Sequence, residues 1–148
     1  MYQAPAIERL RRHGYKITPQ REEILRALGE GCRNAPLSVE EIHQRVLAKH
    51  PNVSLDTVYR NLNVLHDLEI VCRINLPDGQ RRYQLGPGEH HHHLICLKCG
   101  RSAAIDFCPL RSSDQQMIAR EQKFAITRHN FEIFGYCESC RPQGPENL

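Results

Sequence analysis

The chain has no tryptophan, and only 6% of its 148 residues are aromatic. Cores built from so few large side chains are modest, and the length fits one domain or two small ones. No run of 18 apolar residues occurs, which excludes a membrane-spanning helix. Met1-Tyr2-Gln3-Ala4-Pro5 has neither the charged nor the apolar region of a secretory signal, so a soluble, cytoplasmic protein is expected. Internal repeats and low-complexity tracts are also missing. Net charge is no more than +3, yet it is uneven. Residues 1–88 carry 13 Lys/Arg against 10 Asp/Glu, and residues 89–148 carry seven of each. A basic N-terminal half suits a polyanion such as nucleic acid, although an excess of three is also common on ordinary surfaces.

What the chain has in surplus is metal ligands. Cys96-Leu97-Lys98-Cys99 and Cys137-Glu138-Ser139-Cys140 form two Cys-x-x-Cys pairs. Zinc takes four soft ligands in a tetrahedron, and each pair supplies two from one tight turn. Gly100 follows the first pair, where such a turn favours a residue tolerant of positive φ. The competing readings are a redox pair or two disulfides. An odd total of seven cysteines and no secretory signal favour an intracellular zinc site instead. His90-His91-His92-His93 lies directly upstream, so the chain offers more ligands than one structural ion needs.

Gly86-Pro87-Gly88-Glu89 is the clearest boundary. Residues 1–85 read as helices followed by a hairpin, 86–89 as a hinge, and 90–148 as short strands, cysteine pairs and one helix. Residues 4–13 form a short helix stopped by Gly14. Thr18-Pro19 is an N-cap and first helical position, and Ser38 with Glu41 is a capping box. His50-Pro51 ends the third helix. Ser54 caps a fourth helix running to about Leu68. Its apolar stripe is Leu55, Val58, Leu62 and Leu65. Ile70 to Leu76 alternates as a strand, Pro77-Asp78-Gly79 turns the chain, and Arg81 to Leu85 returns it. Helices joined by a short turn and then a hairpin describe a winged helix-turn-helix. The expected fold class is α+β, with that domain first and a small α/β dimerisation domain second.

The fourth helix is the candidate DNA-reading element. Its N-terminal half is expected to expose Asp56, Thr57, Tyr59, Arg60 and Asn61. In a major groove Arg can bond guanine twice, and Tyr can pack on a thymine methyl or bond a phosphate. Arg81 and Arg82 at the hairpin are placed for phosphates. Lys16, just before a helix start, could enter a minor groove. An isolated amphipathic helix usually just solvates its polar face; the surrounding element order favours the DNA reading.

Alternating side chains on a strand point to opposite faces. His91 and His93 therefore share one face, and His90 and His92 the other. Each pair can hold a metal, so the tetrad can feed two sites. Cys72 is the next ligand candidate for the His91–His93 pair, with a buried, inert cysteine as the competing reading. Glu89 or Asp106 could complete that tetrahedron. His129 could join His90 and His92 in a second site. Cys32 and Cys108 are thiols with no assigned task.

These residues resemble the ferric uptake regulator family of bacterial metal-dependent repressors, over about residues 7–140. The carrying segments are Lys16-Ile17-Thr18-Pro19-Gln20-Arg21, Ser54 to Leu62, His90 to Gly100 and Ile133 to Cys140. The resemblance implies a homodimer on near-palindromic operator DNA. Lys16, Arg21, Thr57, Tyr59, Arg60 and Asn61 then make the DNA-facing set, and Cys96, Cys99, Cys137 and Cys140 hold permanent zinc. Iron and peroxide members usually place a ligand His before the Ser38 helix, where this chain has Asn34-Ala35-Pro36. Iron members tend to have Glu where Gln84 stands. Zinc members place a ligand at the position of Cys72. Thiolate with imidazole suits zinc better than ferrous iron or manganese, so the zinc uptake regulator branch is favoured. Two features depart from it: a second cysteine near Gly86 is missing, and the carboxylate of the family's other histidine site is expected near Ser112, whereas Asp114 is the closest.

The expected function is a metal-responsive repressor, not an enzyme. It would sense zinc and control metal-uptake genes, with iron-dependent or peroxide-sensing repression as the alternative. A small zinc hydrolase is a distant third, with His91, His93 and a carboxylate around an open metal position.

Overall fold

The computed structural model describes residues 3–30, 35–86 and 90–142. The expected hinge residues 87–89, with Glu89 among them, and Cys32 lie outside the described residues. The chain divides into two compact units, residues 1–89 and 90–148.

The first unit runs α1 (Gln3–Arg12), α2 (Pro19–Gly29), β1 (Leu37–Ser38), α3 (Val39–Leu47), α4 (Leu55–Asp67), β2 (Val71–Asn75) and β3 (Arg81–Leu85). Local chemistry sets the helix starts. Thr18 accepts a hydrogen bond from Arg21 N with Pro19 at the head of α2, and Ser38 and Glu41 close the expected capping box on α3. Ser54 caps α4 through Thr57 N. At the other end of α4, Glu69 takes a left-handed φ of 56°. Glu69 N then bonds His66 O and Ile70 N bonds Leu65 O, the paired bonds of a Schellman motif, with Leu65 and Ile70 both buried beside it. That reversal launches the chain into the wing.

Ile24, Ile42, Val46, Val58, Leu62, Leu65 and Ile74 are fully buried, and Tyr83 fills the space beneath the hairpin. Each such side chain contributes about 1.5–3 kcal/mol through burial. Leu55, expected on the apolar stripe, is 39% exposed instead. It stands at the first helical position, before the stripe has turned inward. The wing has a third strand that was not expected. β1 pairs antiparallel with β3 (Leu37 opposite Tyr83), giving the order β1-β3-β2. Two residues are too few to show a period.

The second unit contains β4 (His92–Cys96), β5 (Ser102–Ile105), α5 (Ser112–Glu121) and β6 (Glu132–Gly135). β4 is central, antiparallel to β5 and parallel to β6. Its buried side chains are few: Ile95, Cys96, His92, His93 and Ser102. Large apolar groups such as Leu94, Phe134, Tyr136, Phe107 and Phe124 stay exposed in the single chain. No helix among the described residues is long and apolar enough to cross a membrane.

Candidate metal centres and nucleic-acid face

The four thiols of Cys96, Cys99, Cys137 and Cys140 come together, all within 4.8 Å of one another. Each pair sits on a turn. Gly100 takes φ 72° and donates its N–H to Cys96 O, while Cys140 N and Arg141 N return to Cys137 O. The ladder that joins β4 to β6 puts Cys96 opposite Gly135, which carries the second turn to the first. Cys137 N points at Cys96 Sγ at 3.4 Å. Backbone N–H groups of Cys137 and Cys99 hold the Cys96 thiol down to about 6. Cys140 is pushed up to about 12, chiefly by its contact with Cys137 and by burial. One thiol is prepared for ionisation, and further ionisation beside it is opposed. A bound dication resolves that conflict, and four sulfurs in this arrangement fit a tetrahedral thiolate-binding ion such as zinc. Such an ion would supply cross-linking here.

A second cluster forms from His90, His92, His129 and Cys108, again with all ligand atoms within 4.8 Å of one another. Two registers produce it. β4 pairs His93 with Glu132, so three places back position 90 meets position 129. β4 also pairs His92 with Ile105, so the chain leaving β5 runs back past position 90 and brings Cys108 with it. The rings of His90 and His129 stand 4.6 Å apart, and those of His90 and His92 4.7 Å. Cys108 Sγ is 3.2 Å from His129 Nε2. His92 is buried, and no hydrogen bond of good geometry reaches either of its ring nitrogens. Burial first, then His90 and His129, lower its proton affinity, against a weaker opposing pull from the Phe131 backbone.

Cys108 was not assigned from the sequence. The available signal was a ligand-type residue just past a strand that pairs with the histidine strand, but the pairing register was needed to use it. The carboxylate considered for this site is elsewhere: Asp114 Oδ2 accepts from Arg111 N at 3.2 Å at the start of α5. Asp106 is exposed and belongs to none of the ligand clusters among the described residues.

His91 and His93 share the opposite face of the strand, with rings 4.7 Å apart. His93 is buried, and burial followed by His91 lowers it to about 4. Cys72, on β2, is half-buried; burial first and Glu69 second push its thiol up to about 12.

On the candidate nucleic-acid face, α4 exposes Arg60, whose Nε pairs with Asp56 at 2.9 Å. Tyr59 is half-buried, and its hydroxyl accepts from Arg81 at 3.3 Å, which ties the wing to the helix. Thr57 is half-buried and shares a 2.9 Å hydroxyl contact with Ser54. Lys16 is exposed. Asn61 corrects the sequence reading: it is 9% exposed, not on the polar face. Its Oδ1 accepts from Arg21 Nε at 2.9 Å, and its Nδ2 donates to Thr57 O at 2.9 Å. Arg21 is accordingly turned inward, joining α2 to α4. Arg82 is also turned inward, to Glu41 and Pro36 O, instead of pointing off the wing.

A winged helix followed by a small sheet unit with two clusters of metal-binding side chains defines a metal-binding winged-helix protein. Comparison with known proteins makes this specific. The family model described as Ferric uptake regulator family matches residues 12–134. The ferric uptake regulation protein of Bacillus subtilis (strain 168) is 37% identical over 142 residues, covering 94% of each chain. The peroxide-responsive repressor of Staphylococcus epidermidis is 35% identical over 140 residues, covering 94% of this chain and 90% of that one. The Helicobacter pylori ferric uptake regulator structure, described as having three functional metal binding sites, matches with a TM-score of 0.65 at 28% identity over 96% of each chain. The chain belongs to the ferric uptake regulator family and is a metal-responsive transcriptional regulator.

Proposed function

We propose that this protein is a homodimeric repressor that binds operator DNA when an exchangeable metal ion, zinc by preference, occupies ligands from the histidine tetrad. The observation that carries the reading is the division of that tetrad. His90 and His92 converge with two further ligands on one face of the strand, and His91 and His93 pair on the other. A protein needing metal only to fold would be served by the four cysteines. The exposed apolar groups on the second unit, Leu94, Phe134 and Tyr136 among them, support pairing with a second copy. Exposed Arg60, with Tyr59 beside it, supports α4 as the recognition helix, and Lys16 as a backbone or minor-groove contact.

In this reading Cys72 joins His91 and His93, with Glu89 as a further ligand. An ion shared between the wing and the strand past 86–89 would favour the arrangement in which both recognition helices match the operator. If the ion favours that form by about 3 kcal/mol, operator affinity rises roughly 100-fold, and DNA tightens the ion by the same factor. The thiolate among the ligands supports zinc over harder ions. A second reading, iron-dependent or peroxide-sensing repression, is supported by the ferric and peroxide-responsive relatives at 37% and 35% identity.

The test is operator titration of protein stripped of exchangeable metal with the four-cysteine zinc retained. Zinc, ferrous iron and manganese are compared, in wild type and Cys72→Ser. Zinc-dependent binding that is lost in Cys72→Ser supports the reading. Metal-independent binding would defeat the switch, and an unchanged zinc response in Cys72→Ser would remove the zinc assignment.

A further inference from the structure

We infer that Cys108 is the fourth ligand, as a thiolate, of a tetrahedral centre with His90, His92 and His129, and that this makes the centre selective for borderline ions such as Zn2+ over Mn2+. The inference deepens the metal-sensing reading and rests on it for the centre's purpose, though not for its geometry.

Three observations converge. His92 is 1% exposed, and no hydrogen bond of good geometry reaches either ring nitrogen. A buried polar group left in that condition costs about 1–3 kcal/mol, which an ion bound at one nitrogen would relieve. The spacing is already close to what a tetrahedron needs. Metal bonds of about 2.0 Å to nitrogen and 2.3 Å to sulfur put a nitrogen and a sulfur about 3.5 Å apart. Cys108 Sγ and His129 Nε2 stand 3.2 Å apart, and no pair in the cluster exceeds 4.8 Å. Closing the set takes movements of about 1 Å, and the exposed His90 ring can make them without opening a cavity.

The third observation is which ligand is missing. The cluster contains no carboxylate among the described residues, and Asp114 is engaged with the Arg111 backbone. The thiol fills that place. Its Sγ also lies 3.2 Å from the Leu110 carbonyl, where the thiol proton has an acceptor. Binding a dication releases that proton to solvent, forms a sulfur–metal bond and leaves a centre of net charge +1. Manganese prefers six oxygen-rich ligands, whereas three imidazoles and a thiolate suit zinc or cobalt.

Cobalt(II) is the probe. It is titrated into full-length Cys72→Ser protein with zinc retained in the four-cysteine site, so that Cys108 is the thiolate available at the histidines. The expected result is one bound cobalt with the visible bands of four-coordination and a near-ultraviolet thiolate-to-cobalt charge-transfer band. Zinc should displace it, and manganese in excess should not. Adding Cys108→Ser should abolish the charge-transfer band, and adding Cys108→Asp should narrow the zinc-over-manganese preference. Retained helical circular dichroism and four-cysteine zinc content establish that each variant is folded. A charge-transfer band that survives in the Cys108→Ser protein overturns the inference, as does cobalt binding in the parent without that band, or no cobalt binding at all. None of these readouts involves DNA. Failure of operator control would leave them standing, and their failure would leave operator control to the His91–His93 face.

Discussion

Adjacent residues 60 and 61 should behave in opposite ways when truncated. Asn61 is buried and makes two 2.9 Å hydrogen bonds: its Oδ1 accepts from the Arg21 guanidinium of α2, and its Nδ2 donates to Thr57 O within α4 itself. A hydrogen bond to a charged group is worth about 1.5–3 kcal/mol. Arg21 is only half-buried, so water recovers part of that when Asn61→Ala removes the acceptor. The net cost is about 1–2 kcal/mol, which for a unit of this size lowers the melting temperature by about 4–8 °C per kcal/mol. Arg60 has a side chain 79% exposed, paired to an Asp56 that is itself 68% exposed. Its Asp56 pair contributes about 0.3–0.5 kcal/mol, so Arg60→Ala should melt almost like wild type. Its operator affinity should fall by about 1–3 kcal/mol, roughly 5- to 150-fold, with relaxed specificity at one base pair. Urea unfolding followed by helical circular dichroism, and fluorescence anisotropy on an operator duplex at fixed salt, measure the two effects. An Asn61→Ala protein as stable as wild type would refute the buried bridge. An Arg60→Ala protein with full affinity would refute the reading helix.

Three further outcomes are expected. Cys99→Ser should yield protein without its four-cysteine zinc by elemental analysis, with the second unit unfolded and the helical signal of the first retained; a full zinc complement would contradict the shared site. His93 titrates in the folded chain at about 4, below the usual 6.5, so the unfolded chain binds the proton first. Its contribution is therefore present above about pH 6.5 and lost as pH falls toward 4, by at most about 3 kcal/mol. His93→Gln should flatten the pH dependence of urea unfolding between pH 8 and 5.5, and an unaltered slope would exclude His93 as its source. A Cβ on Gly86 would lie 2.9 Å from Cys72 Sγ, with the Glu69 and Ile70 carbonyl oxygens at 3.5 and 3.6 Å. Gly86→Ala should cost about 1 kcal/mol and speed thiol labelling of metal-free Cys72, because the thiol must move. Unchanged labelling would count against that packing.

Local signals in the chain were sufficient for local structure. Thr18-Pro19, the Ser38/Glu41 box and Ser54 act within one turn, so the helix starts were readable and occur as expected. The Cys-x-x-Cys turns and the Gly100 conformation are local in the same sense. Period alone misjudged Leu55 and Asn61. An apolar residue in a helix's first turn need not face the core. A polar residue on the flank can be drawn inward when another helix offers it a partner, as Arg21 does.

By itself, the amino-acid order determined the helix boundaries, the knuckle turns and the alternation that sends neighbouring histidines to opposite faces. All of these follow from backbone geometry over a few residues. The tertiary structure alone decided that Cys108 joins His90, His92 and His129, three histidines the sequence had already grouped, and that Asn61 holds Arg21. Those meetings depend on strand register and helix packing between residues 16–40 positions apart. Register is set by the packing of whole elements, and no short stretch of sequence contains it.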